Sequence, residues 1–137
     1  MEKTLVLVKP DGVEKGVCGD IINRFERRGL KISGLKLLNM SAEQAELHYK
    51  EHVGKRFYDD LISYIMSGPV LAAVLTGENA VKIVRTMMGP TNPAEAAPGT
   101  IRGDLGLSIE KNIIHGSDSI SSADREIEIF FNKNELI

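Results

Sequence analysis

Two apolar runs, Thr4–Lys9 (TLVLVK) and Val70–Leu75, are too short for helices, and each lies beside a Pro/Gly turn signal. Such runs predict buried strands, and they oblige the rest of the chain to supply the layers that cover them. The segments around them carry helical spacing. Val17, Ile21 and Phe25 recur on one helix face, with Gly29 as a left-handed cap. Lys31–Asn39 reads as a strand, and Ser41-Ala42-Glu43-Gln44 is a capping box that opens a helix predicted to run through His52. A further helix is predicted over Asp59–Met66, and another after Asn79, with Val81, Val84 and Met88 on one face and its end at Gly89. Gly89–Gly106 holds three prolines and four glycines and predicts a long ordered loop of the functional kind. Asn112–His115 reads as a last central strand, and Ser121 or Ser122 as the cap of a helix carrying Glu126 and Ile129.

At 137 residues the chain fits one domain, residues 1–137, able to bury about 70% of its unfolded surface. The order of elements is close to a split βαββαβ unit with added helices. That favours an α+β fold, a four-stranded antiparallel sheet covered by helices, over a doubly wound parallel sheet. With 17 basic and 19 acidic residues the net charge is -2, which gives a nucleic-acid role no support. Cys18 is alone, so no intramolecular disulfide can form, and the short apolar stretch near Met1 is too brief for a signal peptide or membrane span. A cytoplasmic protein is expected.

The chain has neither G-x-x-x-x-G-K-[ST] nor G-x-G-x-x-G, so any phosphate it handles must be met by side chains. The densest candidate is Asn112-Ile113-Ile114-His115-Gly116-Ser117-Asp118. An imidazole that attacks through one nitrogen needs the other held as N–H by an acceptor, and Glu126 on the following helix can be that acceptor. Gly116 removes bulk next to the ring. Arg85, Thr91 and Arg102 border the Gly/Pro-rich loop and suit a polyanion, and Lys9 ends the first strand.

Five stretches then show a resemblance: Lys9-Pro10-Asp11-Gly12, Ser67-Gly68-Pro69-Val70, Gly89-Pro90-Thr91-Asn92-Pro93, Pro98-Gly99-Thr100-Ile101-Arg102-Gly103-Asp104 and Asn112–Asp118. In this order and spacing the chain resembles the nucleoside diphosphate kinases over nearly its whole length. The resemblance implies a ferredoxin-like sandwich and ping-pong transfer of a terminal phosphate between nucleotides through phosphorylated His115, with broad base tolerance. It implies that Glu126 orients the ring, Ser117 supports Glu126, and Lys9 and Asn112 hold the sugar hydroxyls. Tyr49 would stand near the transferred group, Arg85, Thr91 and Arg102 would bind phosphates, and Phe57 would stack on the base with Leu61 lining the slot. Mg2+ would be held mainly by the nucleotide and water, with no protein ligands. Nucleoside di- and triphosphates are the implied partners, and a homo-oligomer, tetramer or hexamer, the implied assembly.

Arg56 stands where the family pattern has proline, Glu110 where it has glycine, and the chain ends at Ile137 without the longer tail of some members. Two other readings compete. A nucleotide sensor would use the same cations without chemistry at His115. A zinc hydrolase would use His48 and His52, an i, i+4 pair on the predicted helix, but Tyr49 stands where such a site needs Glu, and a partly exposed helix face is the preferred reading of that pair.

Overall fold

The computed structural model describes residues 1–137. Its strands are β1 Glu2–Val8, β2 Lys31–Leu38, β3 Val70–Gly77 and β4 Ile114–Gly116. They form one sheet in the order β2-β3-β1-β4, with every pair antiparallel. The helices are α1 Pro10–Lys15, α2 Cys18–Arg28, α3 Ala42–His48, α4 Tyr58–Ile65, α5 Ala80–Met88, α6 Ile101–Leu105 and α7 Ile120–Phe130.

The unbroken apolar character of Leu5–Val8 in β1 and Val70–Leu75 in β3 follows from burial on both faces. Successive side chains of a strand point to opposite sides. Val6 and Val8 of β1, with Ala73 and Leu75 of β3, pack against Ile21 and Phe25 of α2 and Val84 and Met88 of α5. Leu5 and Leu7, with Ala72 and Val74, pack against Ala45 of α3, Ile65 of α4 and Ile127 and Phe130 of α7. Burying a side chain the size of Phe130 stabilises by roughly 1.5–3 kcal/mol, so α7 is anchored to the sheet along its Ala123, Ile127 and Phe130 stripe.

The structure departs from the sequence reading in several places. Pro10-Asp11-Gly12 is not only a turn: Pro10 opens α1, where its fixed φ and missing N–H suit the first helical position. The helix opened by the Ser41 capping box stops at His48, and Lys50–His52 is a separate 3-10 turn. Leu47 and Val53 are exposed, so no apolar stripe carries the helix past His48. The long loop contains α6, capped by the Thr100 hydroxyl on Gly103 N at 3.0 Å, and a 3-10 turn at Pro93–Glu95. Ser119 rather than Ser121 or Ser122 caps α7, its hydroxyl accepting from Ser122 N at 3.0 Å. No helix is long and apolar enough to cross a membrane.

Candidate active site

His115 lies in the three-residue edge strand β4, directly opposite Leu7 of β1. Residues facing each other across an antiparallel pair point to the same side, which sends the imidazole to the Leu5/Leu7 face under α3 and α7. Ser117, two residues on, shares that face. Gly116 faces the other way. A Cβ there would overlap Met88 Sδ and come within 3.2 Å of Val84 Cγ1, so this glycine admits α5 and does not make room for the imidazole as expected from sequence.

The strand starts later than predicted because Ile113 has φ 73, a left-handed conformation rare for a β-branched residue. Ile114 N donates to Asn112 O at 2.8 Å across it, a γ-turn. Such a residue costs about 1–3 kcal/mol and needs outside support. Asp11 Oδ2 accepts from Ile113 N at 3.0 Å, Lys9 N donates to Ile113 O at 2.8 Å, and the Tyr64 hydroxyl donates to Asp11 Oδ1. Asp11 and Tyr64 were absent from the candidate residues, although Asp11 lies inside a quoted motif.

His115 Nε2 stands 3.1 Å from Glu126 Oε1, and the Ser117 hydroxyl donates to the same oxygen at 2.6 Å. Ser117 Oγ in turn accepts from Leu5 N at 3.2 Å, which ties the carboxylate to the central strand. Glu126 occupies the apolar stripe of α7, between Ala123 and Phe130. Burial pushes its carboxyl up, but the hydrogen bond and charge of His115, with the Ser117 hydroxyl, outweigh it and the net direction is down. In the neutral form of His115, an ionised Glu126 assigns the imidazole proton to Nε2 and leaves Nδ1 with its lone pair.

His48 is the residue the sequence reading misplaced. It is buried rather than half exposed, and its ring stands edge-on to His115 with centroids 4.6 Å apart and planes at 84°. Burial, then the charge on His115, pushes it down to about 3, so it is neutral at pH 7. With α3 ended at His48, His52 no longer shares its helix face, and His52 Nδ1 instead lies 3.1 Å from Lys55 Nζ.

The cations form two groups. Arg85 Nη1 donates to Gly116 O at 3.3 Å, and it lines a cavity of about 130 Å³ together with His48, Tyr49, His115, Asp118 and Glu126. Lys9 Nζ donates to Asn112 Oδ1 at 2.8 Å, and Asn112 Nδ2 to Thr91 O at 3.1 Å, which joins Lys9, Asn112 and Thr91. Arg102 is buried and donates to the carbonyls of Asn112, Gly89 and Ile114 at 3.2, 3.0 and 2.7 Å. Burial, followed by the Arg85 charge, lowers its pKa to about 10. Sequence reasoning gave it to phosphate alone, whereas its guanidinium here also braces the strained segment before His115.

Phe57 is 46% exposed at the start of α4, its ring centroid 5.5 Å from that of His52. His52 lies 6.1 Å from Tyr49, and Tyr49 4.7 Å from His48, so rings lead from Phe57 to His115. Leu61 packs, partly buried, against the α3/α4/α7 side of the core.

Fold and site together define a ferredoxin-like α+β protein with a carboxylate-oriented histidine on a short edge strand. Residues 2–136 match the family model described as nucleoside diphosphate kinase. The chain is 56% identical to the nucleoside diphosphate kinase of Archaeoglobus fulgidus, over all of this chain and 91% of that one. It is also 56% identical to that of Staphylococcus aureus, over 99% and 91%. Among solved structures, a nucleoside diphosphate kinase from Halobacterium salinarum in complex with CDP superposes with a TM-score of 0.97 at 49% identity, over 99% of this chain and 91% of that one. One from Aquifex aeolicus gives 0.96 at 44% identity, over 99% of each chain. The chain belongs to the nucleoside diphosphate kinase family.

Proposed function

We propose that this protein moves the terminal phosphate of a nucleoside triphosphate to a nucleoside diphosphate by way of phosphorylated His115. The observation that carries the reading is the His115–Glu126–Ser117 chain, which leaves one imidazole nitrogen held and the other free. The Nδ1 lone pair forms the N–P bond while the bond from phosphorus to the bridging oxygen breaks, its electron pair leaving with the diphosphate. The proton stays on Nε2, where Glu126 offsets the positive charge the ring gains. A second diphosphate reverses the step, which is ping-pong kinetics.

Lys9, Arg85 and Thr91 bind the nucleotide's phosphates and sugar with Asn112, and Arg102 adds its charge from behind the backbone it braces. Tyr49 faces the transferred group across the cavity it shares with His115. Phe57 stacks on the base, with Leu61 beneath, and stacking tolerates every base because each has a π face. Mg2+ bound with the nucleotide would supply charge neutralisation on the phosphate oxygens. The nucleotide and water would hold it, because beside His115 the Glu126 carboxylate is already engaged by the imidazole and the Ser117 hydroxyl, while His48, Arg85 and Arg125 offer nitrogen and magnesium prefers oxygen ligands. Incubation with terminally labelled ATP and magnesium, followed by GDP, should move label first to protein and then to GTP. Label that reaches GTP without passing through a protein adduct refutes the mechanism.

A further inference from the structure

His48 has no part in the transfer just described. Its imidazole is 7% exposed, and its Nδ1 has no hydrogen-bond partner. A buried polar atom without a partner is uncommon in a folded protein and calls for an explanation. One donor atom each from His48, His115 and Glu126 lies within 4.8 Å of the other two. Two neutral imidazoles and an ionised carboxylate are a known donor set for zinc, which then keeps a fourth position open. Two ligands on a tetrahedral zinc, with bonds of about 2.0–2.1 Å, stand roughly 3.4 Å apart. The 3.1 Å between His115 Nε2 and Glu126 Oε1 is already close to that spacing. The remaining edges, no longer than 4.8 Å, have to shorten by at most roughly 1.4 Å to reach that spacing, within one packed face formed by α3, α7 and β4.

We propose that His48, His115 and Glu126 form an inhibitory site for zinc, in which the ion replaces the Nε2 proton between His115 and Glu126 and is completed by His48. The inhibitory half rests on His115 being the nucleophile; the binding half does not. A neutral imidazole has one N–H. When zinc takes Nε2, that proton moves to Nδ1, and the nitrogen that attacks phosphorus loses its lone pair. No proton is released on balance, and nothing is oxidised or reduced. Magnesium does not substitute, because it demands octahedral oxygen coordination and gives up water reluctantly. Arg125, whose Nη2 lies 3.9 Å from Glu126 Oε2, together with Lys9 and Arg85, opposes a dication here. The site therefore binds zinc reversibly rather than holding it as a fixed part of the fold.

The test uses the full chain stripped with a chelator, titrated with zinc against a chromophoric competitor in excess magnesium, as wild type, His48→Gln, Glu126→Gln and His52→Gln. One zinc per chain is expected, at least ~10-fold weaker in His48→Gln and Glu126→Gln and unchanged in His52→Gln. X-ray absorption of the wild-type complex, which needs no variant to fold, should show two imidazoles and a carboxylate oxygen. Phosphorylation of His115 from labelled ATP should fall as zinc fills the site, and resist higher zinc in His48→Gln. Unchanged affinity in His48→Gln, fewer than two imidazoles, or full phosphorylation of the zinc-loaded chain overturns the proposal. A chain that binds zinc through these residues yet takes no phosphate when zinc-free supports the metal site and refutes the phosphotransfer reading.

Discussion

Nε2 of His115 and Oε1 of Glu126 are 3.1 Å apart, and that oxygen also accepts the Ser117 hydroxyl at 2.6 Å. A carboxylate accepts both bonds with one atom, whereas the amide of Glu126→Gln can turn its NH2 group toward the ring and reverse the hydrogen bond. The imidazole then settles in the wrong tautomer or rotamer. Misorientation of a reacting group costs on the order of 100-fold, so His115 phosphorylation should slow by that much without stopping. Glu128 is exposed on the other side of α7, and Glu128→Gln should do little. Rapid-quench measurement of both variants checks this, and equal effects would refute the assigned role of Glu126.

If the proposed mechanism holds, His115→Ala should abolish transfer and leave nucleotide binding nearly intact, since the ring is partly exposed and not core volume. The wild-type adduct should be acid-labile and alkali-stable, as a phosphoramidate is. An acid-stable adduct would move the nucleophile to a hydroxyl such as Ser117.

Strands β1 and β3 were legible because their Leu5–Val8 and Val70–Leu75 stretches are buried on both faces and so lack polar positions, and the antiparallel sheet was legible from the order of elements. Glu126 was legible in principle for a local reason: a carboxylate in the apolar stripe Ala123, Ile127, Phe130 has to be paired. The γ-turn at Ile113 was not. Its support comes from Asp11 and Tyr64, distant in sequence, and an isoleucine gives no local signal for positive φ. His48 was misread because the helix was read through His52, which put the two histidines on one partly exposed face, whereas α3 ends at His48 and its ring is buried.

Phe57→Ala should weaken binding of all four bases to a similar degree, by about 1–3 kcal/mol, the usual contribution of a stacked aromatic. Its 46% exposure shows that the fold does not depend on this ring, so the melting temperature should hardly move. Calorimetric titration with the four nucleoside diphosphates decides it, and a large loss confined to one base would mean that the slot reads base edges.

Arg102→Ala should destabilise the fold as well as the reaction. The substitution removes the Arg102 donor from the carbonyls of Gly89 and Ile114 and one of the two donors to Asn112 O, which keeps Ile114 N; Asn112 and Ile114 flank the strained Ile113, and unpaired buried groups cost about 1–3 kcal/mol each. Relaxation and entering water reduce the sum, leaving an expected loss of roughly 3 kcal/mol in urea unfolding. Arg102→Lys should recover little, because an ammonium does not span three acceptors as a planar guanidinium does. Unaltered stability in Arg102→Ala would return this residue to phosphate binding alone.

Lys9 gives a prediction with a defined pH window. Its Nζ donates to Asn112 Oδ1 at 2.8 Å, and burial, aided by the charge of Arg102 and opposed by that of Asp11, lowers its pKa from 10.5 to about 8. Below pH 8 the lysine is charged in both folded and unfolded chains, and the fold bears the full cost of burying it. Between about 8 and 10.5 the unfolded chain keeps a proton that the folded chain has released. The unfolded state then binds more protons, so this group makes stability rise with pH across that window. The readout is the difference between wild type and Lys9→Met, whose stability should lack this slope. Nucleotide binding adds a sharper test. Phosphate charge next to Lys9 favours its protonated form, so at pH 9 binding of a diphosphate should take up close to one proton, measured by calorimetry in buffers of different ionisation enthalpy. Lys9→Met should take up much less. If wild type and variant took up equal numbers of protons, Lys9 would not be the group that meets the nucleotide.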